Sequence, residues 1–192
     1  GDALGKVGAG RLNIAKAFEL TPSFVGSIPI TSSIIIDAQP NSLIKTACVT
    51  ASDVNDPCRT VYYYATDGKR HTFPNEHVFF SWFQTFDSVQ IITQASLSAI
   101  PLGKNVTYHP GSTLVKFQSV PTVYTVSKGG MLRPVASEQV AKELYGTDWN
   151  QQVDDISDAF FSNYVFGTKI FSTSDYSASE AFASVSTISD SF

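Results

Sequence analysis

The chain has three histidines, and these are the residues best suited to chemistry. His71 and His77 lie close in sequence with Glu76 between them, so the three side chains could meet around a metal ion. Their spacing fits no HExxH motif, which would place two histidines on one face of a helix. We therefore predict neither a metal site nor a cofactor.

A serine-histidine-aspartate triad is the other catalytic arrangement that these residue types allow. Ser81 or Ser112 could supply the nucleophile, with His109 among the candidate bases. A triad is defined by geometry, however, and nothing in the sequence brings three such residues together. We predict no catalytic residue in this chain and interpret it as a non-enzyme.

Three charged stretches are candidate binding sites. "SDVNDP" at 52–57 and "DDISD" at 154–158 carry oxygen ligands for calcium. Both lack the Gly at the sixth position and the Glu at the twelfth that a calcium loop of the EF-hand type requires, so solvated loop charge is the favoured interpretation. "DGKRH" places Lys69 and Arg70 at a hairpin tip, where they could contact an anionic glycan or a partner, although such a tip more often improves solubility.

Cys48 and Cys58 flank a polar, turn-forming stretch. A disulfide is the favoured interpretation, because zinc sites usually need four ligands at closer spacing. Two reduced thiols are the alternative. A disulfide requires an oxidising compartment, so the pair indicates an extracellular or cell-surface location.

Composition limits the classes of partner. The formal net charge of -4 gives no electrostatic reason to expect nucleic acid, which is bound through clustered Lys and Arg. No apolar run approaches the roughly 20 residues of a membrane-spanning helix, so we predict no membrane span. An apolar content of 43% with 16% charged residues is typical of a folded protein with a real core.

The sequence contains a repeat. "TVYYYATDGKRHTFPNE" at 60–76 returns as "TVYTVSKGGMLRPVASE" at 122–138, without a gap. The similarity extends upstream, as "SLIK" against "TLVK", and downstream, after a shift of two residues, to Gly103 and Gly167. We predict two tandem modules, 42–103 and 113–167, that pack on each other because units of this size are marginally stable alone.

Each module is predicted to have α+β structure. A short strand is followed by a hairpin around Asp67-Gly68 or Gly129-Gly130, and Asn75 and Ser137 are the expected N-caps of amphipathic helices. A further strand follows each helix. The predicted structural core consists of Tyr62, Phe79, Trp82, Phe83, Tyr124, Val140, Leu144 and Tyr145.

The opening segment, "GKVGAGRLNIAKAFE", resembles the turn and last helix at the C-terminal end of the catalytic domain of subtilisin-like serine proteases. Gly8, Gly10, Asn13 and Ala15 are among the residues that fit. The resemblance implies that residues 1–20 are a remnant of a protease domain whose catalytic residues lie upstream. The "GTSMA"-type nucleophile motif is missing from this sequence. The chain begins at Gly1 without a starting Met, so we expect a processed part of a longer precursor.

The regions flanking the modules are expected to make outside contacts. Residues 21–41 are interpreted as a tether that contributes an added strand, and residues 168–192 as a Ser-rich tail that docks on a partner. The tail's candidate anchors, placed at helical spacing, are Phe182, Val185, Ile188 and Phe192.

These observations predict a non-catalytic attachment or assembly region of a secreted bacterial protein. The repeated unit also looks like tandem modules of bacterial secreted and cell-surface proteins. Two alternatives stay open: a self-assembling subunit of a surface layer or filament, and the C-terminal fragment of an autoprocessed serine protease that stays bound to its catalytic part. The expected partner is a second copy or a cell-surface protein contacted through the tail.

Overall fold

The computed structural model of the chain describes residues 36–49 and 56–192, all of which belong to one compact unit, Ile34–Phe192. They form both helices and strands, so the predicted α+β class is confirmed. The assignments for 1–20 and for most of 21–41 lie outside the described residues. No helix in the described part of the chain is long and apolar enough to cross a membrane.

The first sheet is formed by four strands, β1 (Ser42–Thr46), β2 (Tyr62–Tyr64), β3 (Arg70–Thr72) and β4 (Val89–Ile92). Their spatial order is β3-β2-β1-β4. β2 is antiparallel to both of its neighbours, whereas β4 runs parallel to β1. Helix α1 (Glu76–Trp82) connects β3 to β4, and α2 (Gln94–Ala99) follows β4.

The second sheet is formed by β5 (Leu114–Phe117), β6 (Tyr124–Ser127), β7 (Met131–Pro134), β8 (Val153–Ile156) and β9 (Val165–Phe166). It has the same strand order and directions as the first, β8-β5-β6-β7, with β9 added beside β7. Helix α3 (Glu138–Tyr145) connects β7 to β8, and a 3₁₀ turn, Asp158–Asn163, follows β8 at the place where α2 follows β4.

The two sheets also share their register. In the hairpins, Tyr62 pairs with Thr72, and Tyr124 pairs with Pro134 at positions shifted by 62 residues. Beside β9, Leu132 pairs with Phe166, and the corresponding bridge in the first sheet joins Arg70 to Leu102. The paired positions of the two hairpins thus differ by 62 residues, and the partners Leu102 and Phe166 differ by 64.

A turn upstream of each first strand is also shared. Asn41 and Gly111 both have positive φ, 64° and 73°, and their N–H groups donate to the carbonyls of Tyr64 and Val126. The following residues, Ser42 and Ser112, each donate a side-chain hydrogen bond to the carbonyl three residues earlier. The structural likeness thus begins before the boundaries at 42 and 113 that the sequence predicted.

Both connecting helices begin at their predicted caps. Asn75 Oδ1 accepts the Val78 N–H at 2.9 Å, and Ser137 Oγ accepts the Val140 N–H at 3.3 Å. α1 ends earlier than the predicted apolar stripe, because the backbone of Phe83 is extended. The remaining residue of the stripe, Phe86, stacks on Phe79 from the following loop, with ring centroids 4.2 Å apart.

The modules share one core. Of the predicted core residues, Phe79, Tyr124 and Val140 are buried, and the other five are partly buried. Two smaller apolar clusters lie around α2 and around α3. The largest cluster includes Leu43, Tyr63, Ala65, Val78, Phe79, Val106, Tyr108, Val115, Phe117, Tyr124, Val126, Leu132, Ile156, Tyr164 and Ile188.

The described parts of both flanking regions pack on the modules. The described end of the tether, 36–41, forms a turn, and Ile36 and Ala38 join the cluster around α2, while most of the segment predicted to add a strand lies outside the described residues. The tail contains helix α4 (Ala178–Ala183) and a 3₁₀ turn, Ile188–Ser191. Because Val185 and Ile188 are buried, the tail packs on the modules of its own chain instead of presenting these residues to a partner.

The predicted disulfide is present. Cys48 and Cys58 are bonded, with their Cα atoms 5.2 Å apart. Cys58 lies in a 3₁₀ turn, Pro57–Arg59, that begins where Asp56 Oδ1 accepts the Cys58 N–H. The bond therefore closes the insertion that separates β1 from β2 in the first module and has no counterpart in the second.

Candidate binding groove

A groove of about 920 Å³ lies between α1 of the first module and α4 of the tail. Its volume falls in the range of about 300–1,000 Å³ that is usual for binding sites. The groove is lined by Glu76, His77, Phe80, Ser81, Trp82, Phe83, Gln84, Gly111, Ser112, Thr113, Asp154, Ala178, Ser179 and Phe182.

Both walls present aromatic rings. α1 buries Val78 and Phe79 in the shared core, so the next residue, Phe80, faces outward and is 47% exposed. Across the groove, Phe182 on α4 is 50% exposed. Two half-exposed rings on opposite walls give the groove an apolar contact surface.

A stack of three rings supports the α4 wall. The ring centroid of His109 lies 4.2 Å from that of Trp82 and 4.0 Å from that of Phe182. The Trp82 indole N–H donates to the Thr107 carbonyl at 2.8 Å, which fixes the stack to the chain between the modules. Burial lowers the pKa of His109, although contact with the Pro110 carbonyl opposes this, so the imidazole is neutral near pH 7.

An ionisable pair joins the modules at the α1 wall. His77 Nδ1 lies 3.1 Å from Asp154 Oδ1, which belongs to edge strand β8 of the second module. Burial raises the pKa of the nearby Tyr108 hydroxyl, and the charge of Asp154 raises it further. Tyr108 therefore stays protonated beside the pair.

The charged groups that line the groove make it acidic. Its described lining includes the carboxylates of Glu76 and Asp154 but neither Lys nor Arg. Because like charges repel, this lining favours neutral or cationic ligands over anionic ones.

The serines considered for a triad have backbone partners. Ser81 Oγ donates to the Val78 carbonyl at 2.7 Å and accepts the His109 N–H at 3.0 Å. Ser112 Oγ donates to the His109 carbonyl, while His109 Nδ1 lies 2.8 Å from the Pro110 carbonyl. These contacts brace the floor of the groove and do not align a serine with an imidazole.

The residues considered for a metal site are separated. His71 is buried, with Nδ1 at 2.8 Å from the Lys104 carbonyl and Nε2 at 3.2 Å from Asp67. His77 is exposed and paired with the second module. Within 36–49 and 56–192, no three His, Cys, Asp or Glu side chains group as metal ligands.

The other charged candidates also have local partners. Lys69 is exposed near Asp67, but Arg70 is partly buried, lies over the Tyr62 ring and donates to the Leu97 carbonyl. In "DDISD", Asp155 pairs with Lys116, and Asp158 accepts a hydrogen bond from Ser119. Most of "SDVNDP" lies outside the described residues. Of the cationic pair, Lys69 thus keeps the freer side chain.

Sequence reasoning missed the groove because its walls come from distant parts of the chain. The one available signal was Phe80, an aromatic residue that follows the buried pair of α1 and falls outside the apolar stripe. Comparison of the chain with family models, with curated proteins and with solved structures finds no match in any of the three.

Proposed function

We propose that this chain is a non-catalytic attachment module of a secreted protein, in which two copies of one α+β unit together with the tail form a groove for a segment of a cell-surface protein. The observation that carries the proposal is the groove itself. Its walls come from the first module and the tail, and Asp154 of the second module pairs with His77 at its rim.

Duplication of one ancestral unit is supported by the common construction of the sheets. Strand order, directions and register agree, and the caps Asn75 and Ser137 occupy corresponding positions. Helices α1 and α3 differ at the positions where α1 lies beside the groove. α1 carries Phe80 and Trp82 beside the groove, whereas the corresponding residues of α3 are Lys142 and Leu144.

The proposed occupant is an extended protein segment with an aliphatic or aromatic side chain next to Lys or Arg. Phe80 and Phe182 suit the apolar side chain, because aromatic rings bury large areas at interfaces. Glu76 and Asp154 suit the cation. An anionic glycan is disfavoured by the same carboxylates.

The Cys48–Cys58 bond supports a location outside the cytoplasm, because disulfides persist in oxidising compartments. The resemblance at 1–20 supports a second candidate, in which the chain is the C-terminal part of an autoprocessed serine protease. N-terminal sequencing and intact mass of native material test that candidate, and a co-purifying fragment with a "GTSMA"-type motif is the expected result.

Selection from a displayed library of random peptides on the full chain tests the proposed attachment function. We expect the selected peptides to combine Lys or Arg with a neighbouring apolar residue. Their affinity should fall about tenfold or more in Phe80→Ala, because a central aromatic contact contributes about 2 kcal/mol or more to binding and tenfold corresponds to about 1.4 kcal/mol. Phe171→Ala is the matched control, since Phe171 is 69% exposed and lies outside the groove.

A second arm tests the charge. Glu76→Gln should weaken the binding of the same peptides and reduce its salt dependence, because the substitution removes a carboxylate that faces the cation. Equal affinity in Phe80→Ala, Phe171→Ala and the wild type would overturn the proposal. Binding to a neutral glycan array without binding to any peptide would also overturn it.

A further inference from the structure

The tail, residues 168–192, forms a strap that runs over both modules, and we call it the strap below. On the second module, Tyr176 Oη donates to the Val126 carbonyl at 2.9 Å. Arg133 Nη1 donates to the Asp175 carbonyl at 2.8 Å, which holds the start of the strap. The Phe182 ring then stacks on His109 between the modules.

The end of the strap reaches the first module. Ile188 enters the shared core. Ser189 Oγ lies 2.7 Å from Asn41 Oδ1 and accepts the Thr66 N–H at 3.2 Å, and the Phe192 ring stacks on His71 at 4.0 Å. These contacts join residues more than a hundred positions apart, so they connect the last part of the described chain to the first.

The strap is attached through side chains. Residues 171–192 add no strand to either sheet, whose last pairing with this region is the Val135–Ile170 bridge. A local network instead holds the 3₁₀ turn at the end, where Thr187 and Ser186 donate to Asp190. Those hydrogen bonds keep the pKa of Asp190 below its ordinary value. The strap therefore carries its own local structure and can leave its seat without breaking a sheet.

Seating the strap on its own chain leaves apolar surface uncovered. Phe182, Phe192 and Phe171 remain about half exposed or more, at 50%, 49% and 69%. Phe171 is the most exposed of the three and lies directly after Ile170, where the strap leaves the second sheet.

We propose that the strap exchanges between two copies of this chain, so that each strap occupies the seat on the other copy. Exchange forms the contacts of residues 175–192 with the other copy instead of with their own, which makes it a low-cost route to a symmetric dimer. The hinge is the segment 171–174, because Ile170 stays bridged to its own sheet while Asp175 leaves with the strap. Phe171 lies in this hinge, so its exposed ring is placed where the copies meet. This inference does not depend on what the groove binds.

Mixing two variants tests the exchange. Each variant carries one added cysteine and keeps the native Cys48–Cys58 disulfide. Asn41→Cys and Ser189→Cys are mixed as full chains, incubated and oxidised, so that a disulfide between the new cysteines can form only between copies. We expect a cross-linked dimer whose yield rises with concentration. Asn41→Cys with Ser174→Cys is the matched control, because Ser174 lies on the strap and contacts Ser172 rather than the first module. Equal yields from both pairs would overturn the proposal.

A measurement on the wild-type chain covers the case in which a variant fails to fold. Native mass spectrometry of a mixture of unlabelled and ¹⁵N-labelled chains should show dimers of mixed isotope content. Monomers alone, up to the highest concentration at which the chain stays in solution, would overturn the inference.

Discussion

His71 and Arg133 occupy the same place in the two sheets. His71 pairs with Tyr63 across the first hairpin, and Arg133 pairs with Thr125 across the second. His71 Nδ1 lies 2.8 Å from the Lys104 carbonyl, and Arg133 Nε donates to the Thr168 carbonyl at 3.1 Å. An imidazole and a guanidinium thus occupy corresponding positions in the two sheets, and each approaches a backbone carbonyl at a corresponding position.

A glycine lies against this position in each sheet, Gly103 beside His71 and Gly167 beside Arg133. A Cβ atom on Gly103 would lie 2.4 Å from His71 Cε1, whereas one on Gly167 would lie 2.7 Å from the sulfur of Met131. We expect Gly103→Ala to lower the free energy of unfolding by about 1–3 kcal/mol, because the buried ring cannot move aside. Gly167→Ala should cost less, because Met131 is flexible and exposed. Chemical denaturation of both variants checks this order, and a larger loss in Gly167→Ala would contradict it.

Gly111 is expected to be the glycine least tolerant of substitution, because the strap lies against it. A Cβ atom there would come within 2.0 Å of the Ala178 carbonyl oxygen, while one on Gly129 would meet nothing within 4 Å. Both glycines have positive φ, 73° and 77°, so alanine brings similar backbone strain of about 1 kcal/mol to each. We expect Gly111→Ala to be the more destabilising and to increase proteolysis within 168–192. Equal stability of the two variants would show that α4 does not rest on Gly111.

The two helix caps should contribute similarly. Asn75→Ala and Ser137→Ala each remove the acceptor of a backbone N–H, so each is expected to cost about 1 kcal/mol of stability. Asn75→Asp keeps the acceptor and serves as the control. Thermal unfolding followed by circular dichroism measures the losses, and a wild-type melting temperature in Asn75→Ala would refute the assignment of the cap.

Reduction of the disulfide should destabilise the first module. The Cys48–Cys58 closure spans a sequence separation of 10, and a loop of this size contributes roughly 3 kcal/mol in the chain-entropy model. We expect a reducing agent to lower the midpoint of unfolding, and the double variant Cys48→Ser/Cys58→Ser to show the same midpoint with or without it. A reducing agent that leaves the wild-type midpoint unchanged would contradict this role.

Stability should depend on pH through His109. Its folded pKa lies below the ordinary value of 6.5 because burial disfavours the charged ring. The unfolded chain therefore binds a proton that the folded chain does not as pH falls below about 6.5, so stability is full above this pH and decreases below it. Comparison at about pH 7.5 and about pH 5.5 measures the loss. His109→Phe keeps a ring in the stack and should lose less on acidification. An identical loss in both proteins would rule out this source of the dependence.

The secondary structure of each module could be predicted because its signals are local. Asp67-Gly68 and Gly129-Gly130 predict the hairpins, and Asn75 and Ser137 predict the helix starts. The shared turn at Asn41 and Gly111 escaped notice because two different residue types adopt its positive φ. The end of α1 was also missed, because Phe86 continues the helical spacing while the backbone has already become extended at Phe83.

The candidate groove could not be predicted, since its parts are distant in sequence. His77 meets Asp154 across 77 positions, and Phe182 reaches the groove from the tail. The helical spacing of the tail's apolar residues predicts that they are anchors, but spacing alone does not say which surface they contact. Val185 and Ile188 meet their own chain.

The contact between Ser189 and Asn41 also bears on how the protein folds. These residues are 148 positions apart, while the hairpins and connecting helices form from neighbours. Because closing a long loop costs entropy before any contact repays it, we expect the modules to be nearly complete in the transition state and the final segment to dock afterwards. A change at Ser189 should then accelerate unfolding and leave the refolding rate almost unaltered.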